Sequence, residues 1–118
     1  MPKIESDTLY GTLNLLILKA LAEGPLHGLA ILHELEASSG EVFQVEEGAL
    51  YPALHRLERD GLVAGEWGIS PKGRRAKLYR LTAKGRRQLD SGTERWLRHA
   101  RAVASVLDVR RRIGKVEG

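Results

Sequence analysis

The sequence predicts a mainly α fold with a small β-hairpin, in the order helix, helix, helix, hairpin, long helix. Three observations predict it. Apolar residues recur at helical spacing in successive stretches of the first half. Two short β-prone segments follow, separated by a turn that holds Gly68, Ser70, Pro71 and Gly73. The last part of the chain then carries an apolar seam at heptad spacing.

In the first element, Leu9, Leu13, Leu16, Ile17, Ala20 and Leu21 recur at helical spacing between Asp7 and Glu23, with Asp7 as the N-cap. Leu15 and Leu18 widen the apolar surface, so this helix needs cover on most sides, with another subunit as one source. Gly24-Pro25 ends it, because proline cannot continue the hydrogen-bond ladder. A second helix is expected from Gly28 to Ala37, burying Leu29, Leu32 and Leu35 and closing at Ser38-Ser39-Gly40.

In the third helix, Leu50, Leu54 and Leu57 stand at i, i+4 and i+7 and form one apolar stripe. The opposite face holds Gly48, Pro52, His55, Arg56 and Arg59, with Tyr51 at its flank. Glu46 and Glu47 sit near the start, where the helix dipole favours negative charge. Pro52 is expected near the first turn, since deeper in the helix it removes a hydrogen bond and crowds the carbonyl of Gly48. Gly61 is the C-terminal stop.

The segments LVAGEW and AKLYRLT are the two strands, and the turn between them carries Lys72, Arg74, Arg75 and Lys77 as a cationic tip. Thr82 caps the last helix, which is expected to reach about Arg112, followed by a frayed RRRIGKVEG tail. Leu89, Thr93, Trp96, Ala100, Val103, Leu107 and Arg110 form its seam, in alternating steps of four and three. So long a helix outruns the core of a small domain. A partner helix from a second copy is the economical explanation, and packing on the first helix of the same chain is the alternative. Three helices followed at once by a hairpin make a winged helix-turn-helix, with the third helix as the major-groove reader and the hairpin tip as the wing. The expected division is a winged helix-turn-helix DNA-binding region over 1–82 and a C-terminal dimerisation helix with its tail over 83–118.

Composition narrows the function. With 118 residues, 42% hydrophobic and 29% charged, the chain suits one globular domain. It has no cysteine, so neither disulfides nor a thiolate metal site can form. The start MPKIESDTLYG carries acids where a secretory leader is basic. The apolar run LNLLILKALA is interrupted by Lys19 and too short to span a bilayer. A cytoplasmic protein with no membrane partner is expected. No Ser, His and acid form a recognisable nucleophile arrangement, and no glycine-rich phosphate loop follows a strand, so an enzyme is not expected. His27 and His33 are not at metal-pair spacing, and no metal or cofactor is expected.

Charge is divided unevenly. Residues 1–60 hold four cations against ten acids, a balance of −6, and residues 61–118 hold fifteen against five, a balance of +10. The excess begins in KGRRAKLYRLTAKGRR, where Lys72, Arg74, Arg75, Lys77, Arg80, Lys84, Arg86 and Arg87 meet no acid. A solvated solubility face is the plain explanation. A projecting hairpin tip is also a good mount for phosphate-binding cations, which makes Lys72, Arg74, Arg75 and Lys77 the wing contacts. Arg80 has cross-strand pairing with Glu66 as an alternative. Lys84, Arg86 and Arg87 open a helix, where the dipole disfavours cations, which points to an external anion or to solvent. On the third helix, Tyr51, Pro52, His55, Arg56 and Arg59 complete the expected DNA-binding set, with a solvent network around Glu58 and Arg59 as the alternative.

LYGTLNLLILKALAEGPLHG, GALYPALHRLERDGLV and GRRAKLYRLTAKGRRQL together resemble the PadR family of bacterial transcriptional regulators, over roughly Leu9 to Leu89. The short C-terminal part is similar to the compact members of that family. The resemblance implies a homodimer joined through its first and last helices. It also implies binding to pseudo-palindromic promoter DNA, usually as a repressor, often released by small aromatic or drug-like molecules. Leu9, Leu13, Leu89, Trp96, Ala100, Val103 and Leu107 are the expected dimerisation residues. Trp96 falls where some compact members stack a flat ligand between subunits; a tryptophan that simply fills the interface is the alternative. The sequence departs from the family pattern at Leu29, where many members have Tyr, and at Glu46 and Ala49, where many have a hydroxyl. Each change removes a potential phosphate hydrogen bond. The rival reading from another class is a winged-helix interaction module that binds another regulator rather than DNA.

Overall fold

The computed structural model describes residues 12–108. Asp7 and Leu9 lie outside the described residues, as do Arg110, Arg112 and the tail. The elements are α1 (Leu13–Ala20), β1 (Leu26–His27), α2 (Gly28–Ser38), α3 (Glu47–Arg59), β2 (Val63–Ile69), β3 (Arg75–Leu81) and α4 (Ala83–Leu107).

One core joins them. Leu13, Ile17, Leu18 and Leu21 from the α1 region meet Ile31, Leu32 and Leu35 of α2, and Leu50, Ala53, Leu54 and Leu57 of α3. Val63, Tyr79 and Leu89 close it from the sheet and from α4. The wide apolar surface of α1 is answered within the chain, since α2, α3 and α4 all pack against it. Leu29 does not join this core and is 51% exposed. On α2 the buried face is Gly28, Ile31, Leu32 and Leu35, and Leu29 lies about 60° beyond its edge at Leu32.

Helix ends follow local chemistry. At the end of α3, Gly61 takes φ +77, Gly61 N donates to the Glu58 carbonyl at 3.0 Å, and Leu62 N donates to the Leu57 carbonyl at 2.9 Å. That is the Schellman arrangement, which a residue with a Cβ enters at a cost. Pro52 is not in the first turn: it stands at the sixth position of α3. The carbonyl it leaves unbonded belongs to Gly48, on the exposed side of the helix, where water can replace the missing donor.

The sheet has three strands in the order β1-β3-β2, all antiparallel. The third strand is new relative to the sequence reading. Leu26 and His27 pair with Tyr79 and Leu78, a ladder too short to leave any alternation in the sequence. In the hairpin, Val63 faces Leu81, Gly65 faces Tyr79, Trp67 faces Lys77 and Ile69 faces Arg75. Arg75 and Lys77 therefore belong to strand β3, and the tip itself carries only Lys72 and Arg74 of the four expected cations.

Thr82 ties three elements together. Its Oγ1 accepts from Gly85 N at 2.9 Å, donates to the Gly61 carbonyl at 2.7 Å, and lies 3.0 Å from the Leu62 carbonyl. Gly85 is buried there, and only glycine fits, because a Cβ would collide with the Leu62 carbonyl oxygen. From this junction α4 runs 25 residues, about 37 Å. Its first half packs on α1, and Gly92 lets Leu15 approach the helix backbone. Its second half leaves the body, with Val103, Val106 and Leu107 at 40%, 85% and 61% exposure. Leu13 of α1 and Leu89 of the seam, expected at a subunit interface, sit in this chain's own core at 4% and 6% exposure, whereas Trp96, Val103 and Leu107 of the seam are exposed and Ala100 is half-buried.

Two outcomes follow from this packing. Gly85→Ala destabilises the fold by about 2 kcal/mol or more, because the colliding partner is backbone and cannot rotate away; urea denaturation measures it. The second concerns alkaline pH. Burial first, then Glu47, raises the Tyr51 hydroxyl above its usual 10.0. Burial is likewise the largest influence raising Tyr79, against a lowering contribution from Lys77. Folded phenols that keep their protons after the unfolded chain has released them stabilise the fold below the unfolded value and lose that contribution as pH rises. Their contribution is therefore fully present and independent of pH near neutrality, and the urea midpoint falls above about pH 10.

Candidate nucleic-acid interface

The amphipathic sequence of α3 decides what it presents. Leu50, Ala53, Leu54 and Leu57 point inward at 0–2% exposure, so Gly48, Pro52, His55, Arg56 and Arg59 are left on the outer face, and all five are exposed. Arg59 Nε lies 3.4 Å from Asp60 Oδ1, a fully open contact that holds neither side chain firmly. Tyr51 is half-buried at the flank, against the first residue of α2. A Cβ on Gly28 would lie 2.6 Å from its hydroxyl, so the ring lies directly on the α2 backbone. Between α1 and the start of α3 lies an open groove of about 480 Å³, lined by Leu13, Asn14, Glu46, Gly48, Ala49, Pro52 and Arg56.

The wing begins where the core ends. Burial along β2 fades from Val63 to an outer half in which Glu66, Trp67, Gly68 and Ile69 are all exposed. Its tip is braced by Ser70: the Ser70 carbonyl accepts from Gly73 N at 2.8 Å, and its hydroxyl accepts from Arg74 N at 3.3 Å. Lys72, Arg74 and Arg75 are exposed. The Arg75 guanidinium lies over the Trp67 ring, 4.4 Å from its centre, which holds it against the strand while the side chain stays exposed. Trp67 is 56% exposed and serves as this platform.

Lys77 is a different case from the tip cations. Its Nζ donates to Glu58 Oε1 at 2.7 Å, and this hydrogen bond is the largest influence raising the Lys77 ammonium above its usual value. Glu58 thus faces the hairpin, not a solvent network on α3. Arg80 and Glu66 form no ion pair: they stand diagonally, opposite Ala64 and Leu78 respectively.

The cations that open α4 have internal partners. Lys84 Nζ donates to the Asp60 carbonyl at the end of α3, at 2.8 Å, and Arg86 Nη2 donates to the Ala22 carbonyl beyond α1, at 3.0 Å. Both acceptors lie at or just beyond helix C-termini, where carbonyls are unsatisfied and the dipole is negative. The unfavourable position on α4 is therefore offset by two favourable ones elsewhere.

A small core with α3 facing outward beside a cationic hairpin is an arrangement with known counterparts. Residues 17–91 match the model of the transcriptional regulator PadR-like family. The chain belongs to that family. A transcriptional regulator of Mycobacterium tuberculosis is 41% identical over 73 residues, which cover 62% of this chain and 64% of the relative. Among solved structures, a PadR family transcriptional regulator from Eggerthella lenta is similar at a TM-score of 0.77 and 33% identity, over 90% of each chain. Bacillus subtilis PadR, solved in complex with operator DNA, is similar at 0.63 and 26%, over 70% of this chain and 47% of that one.

For this PadR-like chain, the outer face of α3 was legible in the sequence and the wing only in part. The strand starts at Arg75, one residue earlier than expected, which takes Arg75 off the tip, and Lys77 stood inside the expected AKLYRLT strand already. Glu58, Gly65 and Trp67 were not recognised as parts of one assembly. The pairing register, which sets Trp67 beside Lys77 and Gly65 beside Tyr79, was the signal that could have joined them. Among the described residues, no helix is long and apolar enough to cross a membrane.

Proposed function

We propose that this regulator is a homodimeric repressor that binds a pseudo-palindromic operator. The observation that carries the reading is the wing: among the described residues, Lys72, Arg74 and Arg75 are exposed with no carboxylate partner, next to an α3 face whose Arg56 and His55 are equally open. Cations held this way neutralise phosphates by counterion release, while side chains on α3 reach base edges in the major groove. Tyr51 and Pro52 line the same face and set how closely α3 approaches. The operator complex of the Bacillus subtilis relative supports duplex DNA as the partner. Lys77 drops out of the phosphate-binding set, because Glu58 already holds its charge.

A second copy is the partner for α4. Trp96, Ala100, Val103 and Leu107 share one face of a helix that has left its own core, with the exposed Leu97 and Val106 on its two flanks. Pairing these surfaces sets the two α3 helices about 34 Å apart, one turn of DNA. A small aromatic effector fits the groove of about 510 Å³ between α1 and α4, where Trp96 stands with Leu15, Leu62, Arg95 and His99. The protein is expected in the cytoplasm, with its DNA.

Salt dependence tests the DNA reading. Each phosphate contact lowers the slope of log K against log salt by about 0.9, so three wing contacts (Lys72, Arg74 and Arg75) in each of two subunits give a slope near −5. Arg74→Ala with Arg75→Ala weakens binding to every duplex and flattens that slope by about 3 to 4 units; unchanged affinity would refute the wing assignment. Arg59→Ala or His55→Ala instead changes sequence preference, measurable by selection from random duplexes. A salt-independent interaction would favour a protein partner in place of DNA. Leu107→Glu yields monomers in sedimentation, and a surviving dimer removes α4 from the interface.

A further inference from the structure

The outer half of the hairpin has no core beneath it. A two-stranded ribbon in that position swings about its base unless another element holds it. Among the described residues, a single side-chain hydrogen bond joins α3 to the hairpin strands, from Lys77 Nζ to Glu58 Oε1 at 2.7 Å. The two side chains are 19% and 31% exposed, so the pair is partly sheltered from the screening that weakens open ion pairs.

The surroundings are shaped for it. The Lys77 ammonium lies 5.5 Å from the centre of the Tyr79 ring and 5.7 Å from that of Trp67. The Lys77 carbonyl is 3.1 Å from His27 Nδ1, which ties the same residue to β1. Gly65 leaves the passage open: a Cβ there would collide with Lys77 Cε and come within 3.2 Å of Glu58 Oε2.

We infer that the Glu58–Lys77 pair is a positioning strut that sets the angle between α3 and the wing, and thereby governs discrimination between operator and other DNA. The inference rests on the operator-binding reading above. It differs from a phosphate-contact role for Lys77 in the sign of one effect. If Lys77 gripped phosphate, Glu58→Gln would free its charge, tighten binding and steepen the salt slope. A strut predicts that the same substitution loosens the wing and lowers discrimination.

The test uses the full chain, a duplex selected from a random pool by the native protein, and a scrambled duplex of equal length. Glu58→Gln and Lys77→Met each lower the ratio of the two affinities by about tenfold or more, a loss on the scale of misplacing one base-reading contact. The double variant lowers the ratio no further, and the exchange of Glu58→Lys with Lys77→Glu recovers part of it. The salt slope on the scrambled duplex does not change. An undiminished ratio in either single variant overturns the strut, as does tighter and steeper binding by Glu58→Gln. Circular dichroism establishes that each variant is folded, and the isosteric Glu58→Gln suffices if Lys77→Met is not.

A second readout needs no DNA. In protein labelled with 5-fluorotryptophan, both single variants move or broaden the Trp67 fluorine resonance and leave that of Trp96 in place. A Trp67 resonance unmoved by Glu58→Gln overturns the strut. If the native protein bound neither duplex, the operator reading would fail on its own, and the fluorine spectrum would still decide the strut.

Discussion

The inner face of α3 is the constraint on which the other features depend. Leu50, Ala53, Leu54 and Leu57 are buried to 2% exposure or less, against α1 and α2. Each such leucine contributes about 1.5–3 kcal/mol through removal from water. A rotation of α3 that brought Arg56 or Arg59 inward would forfeit that burial and desolvate a charge. The outward direction of the basic face is therefore a consequence of core packing.

The second organising feature is the junction at Thr82. One hydroxyl meets the end of α3, the start of β2 and the first turn of α4. Lys84 and Arg86 reinforce it by reaching back to the ends of α3 and α1. The proposed reading helix, wing and dimerisation helix thus diverge from one small region, so a displacement of α4 has a short path to α3 and the hairpin. The groove that holds Trp96 is lined by Leu57 and Asp60 of the α3 end as well as by α4. Positive charge is sorted by the same geometry. Lys77, Lys84 and Arg86 hold the fold together, whereas Lys72, Arg74 and Arg75 remain outward on the wing.

The sequence by itself determined the order of helices and hairpin, the stripe of Leu50, Leu54 and Leu57, the cap at Thr82 and the stop at Gly61. These depend on periodicities and end chemistry that operate over a few residues. Only the tertiary structure decided which cations are free and which are partnered, that Leu29 faces out, that Pro52 sits in the second turn, and that Leu26–His27 adds a strand. It also divided the α4 seam between the chain's own core and an open surface. The reason is the separation of the partners. Lys77 and Glu58 are 19 residues apart, Lys84 and Asp60 are 24 apart, and Arg86 and Ala22 are 64 apart. No local pattern encodes such pairs, because they exist only once the core has set the distances between elements.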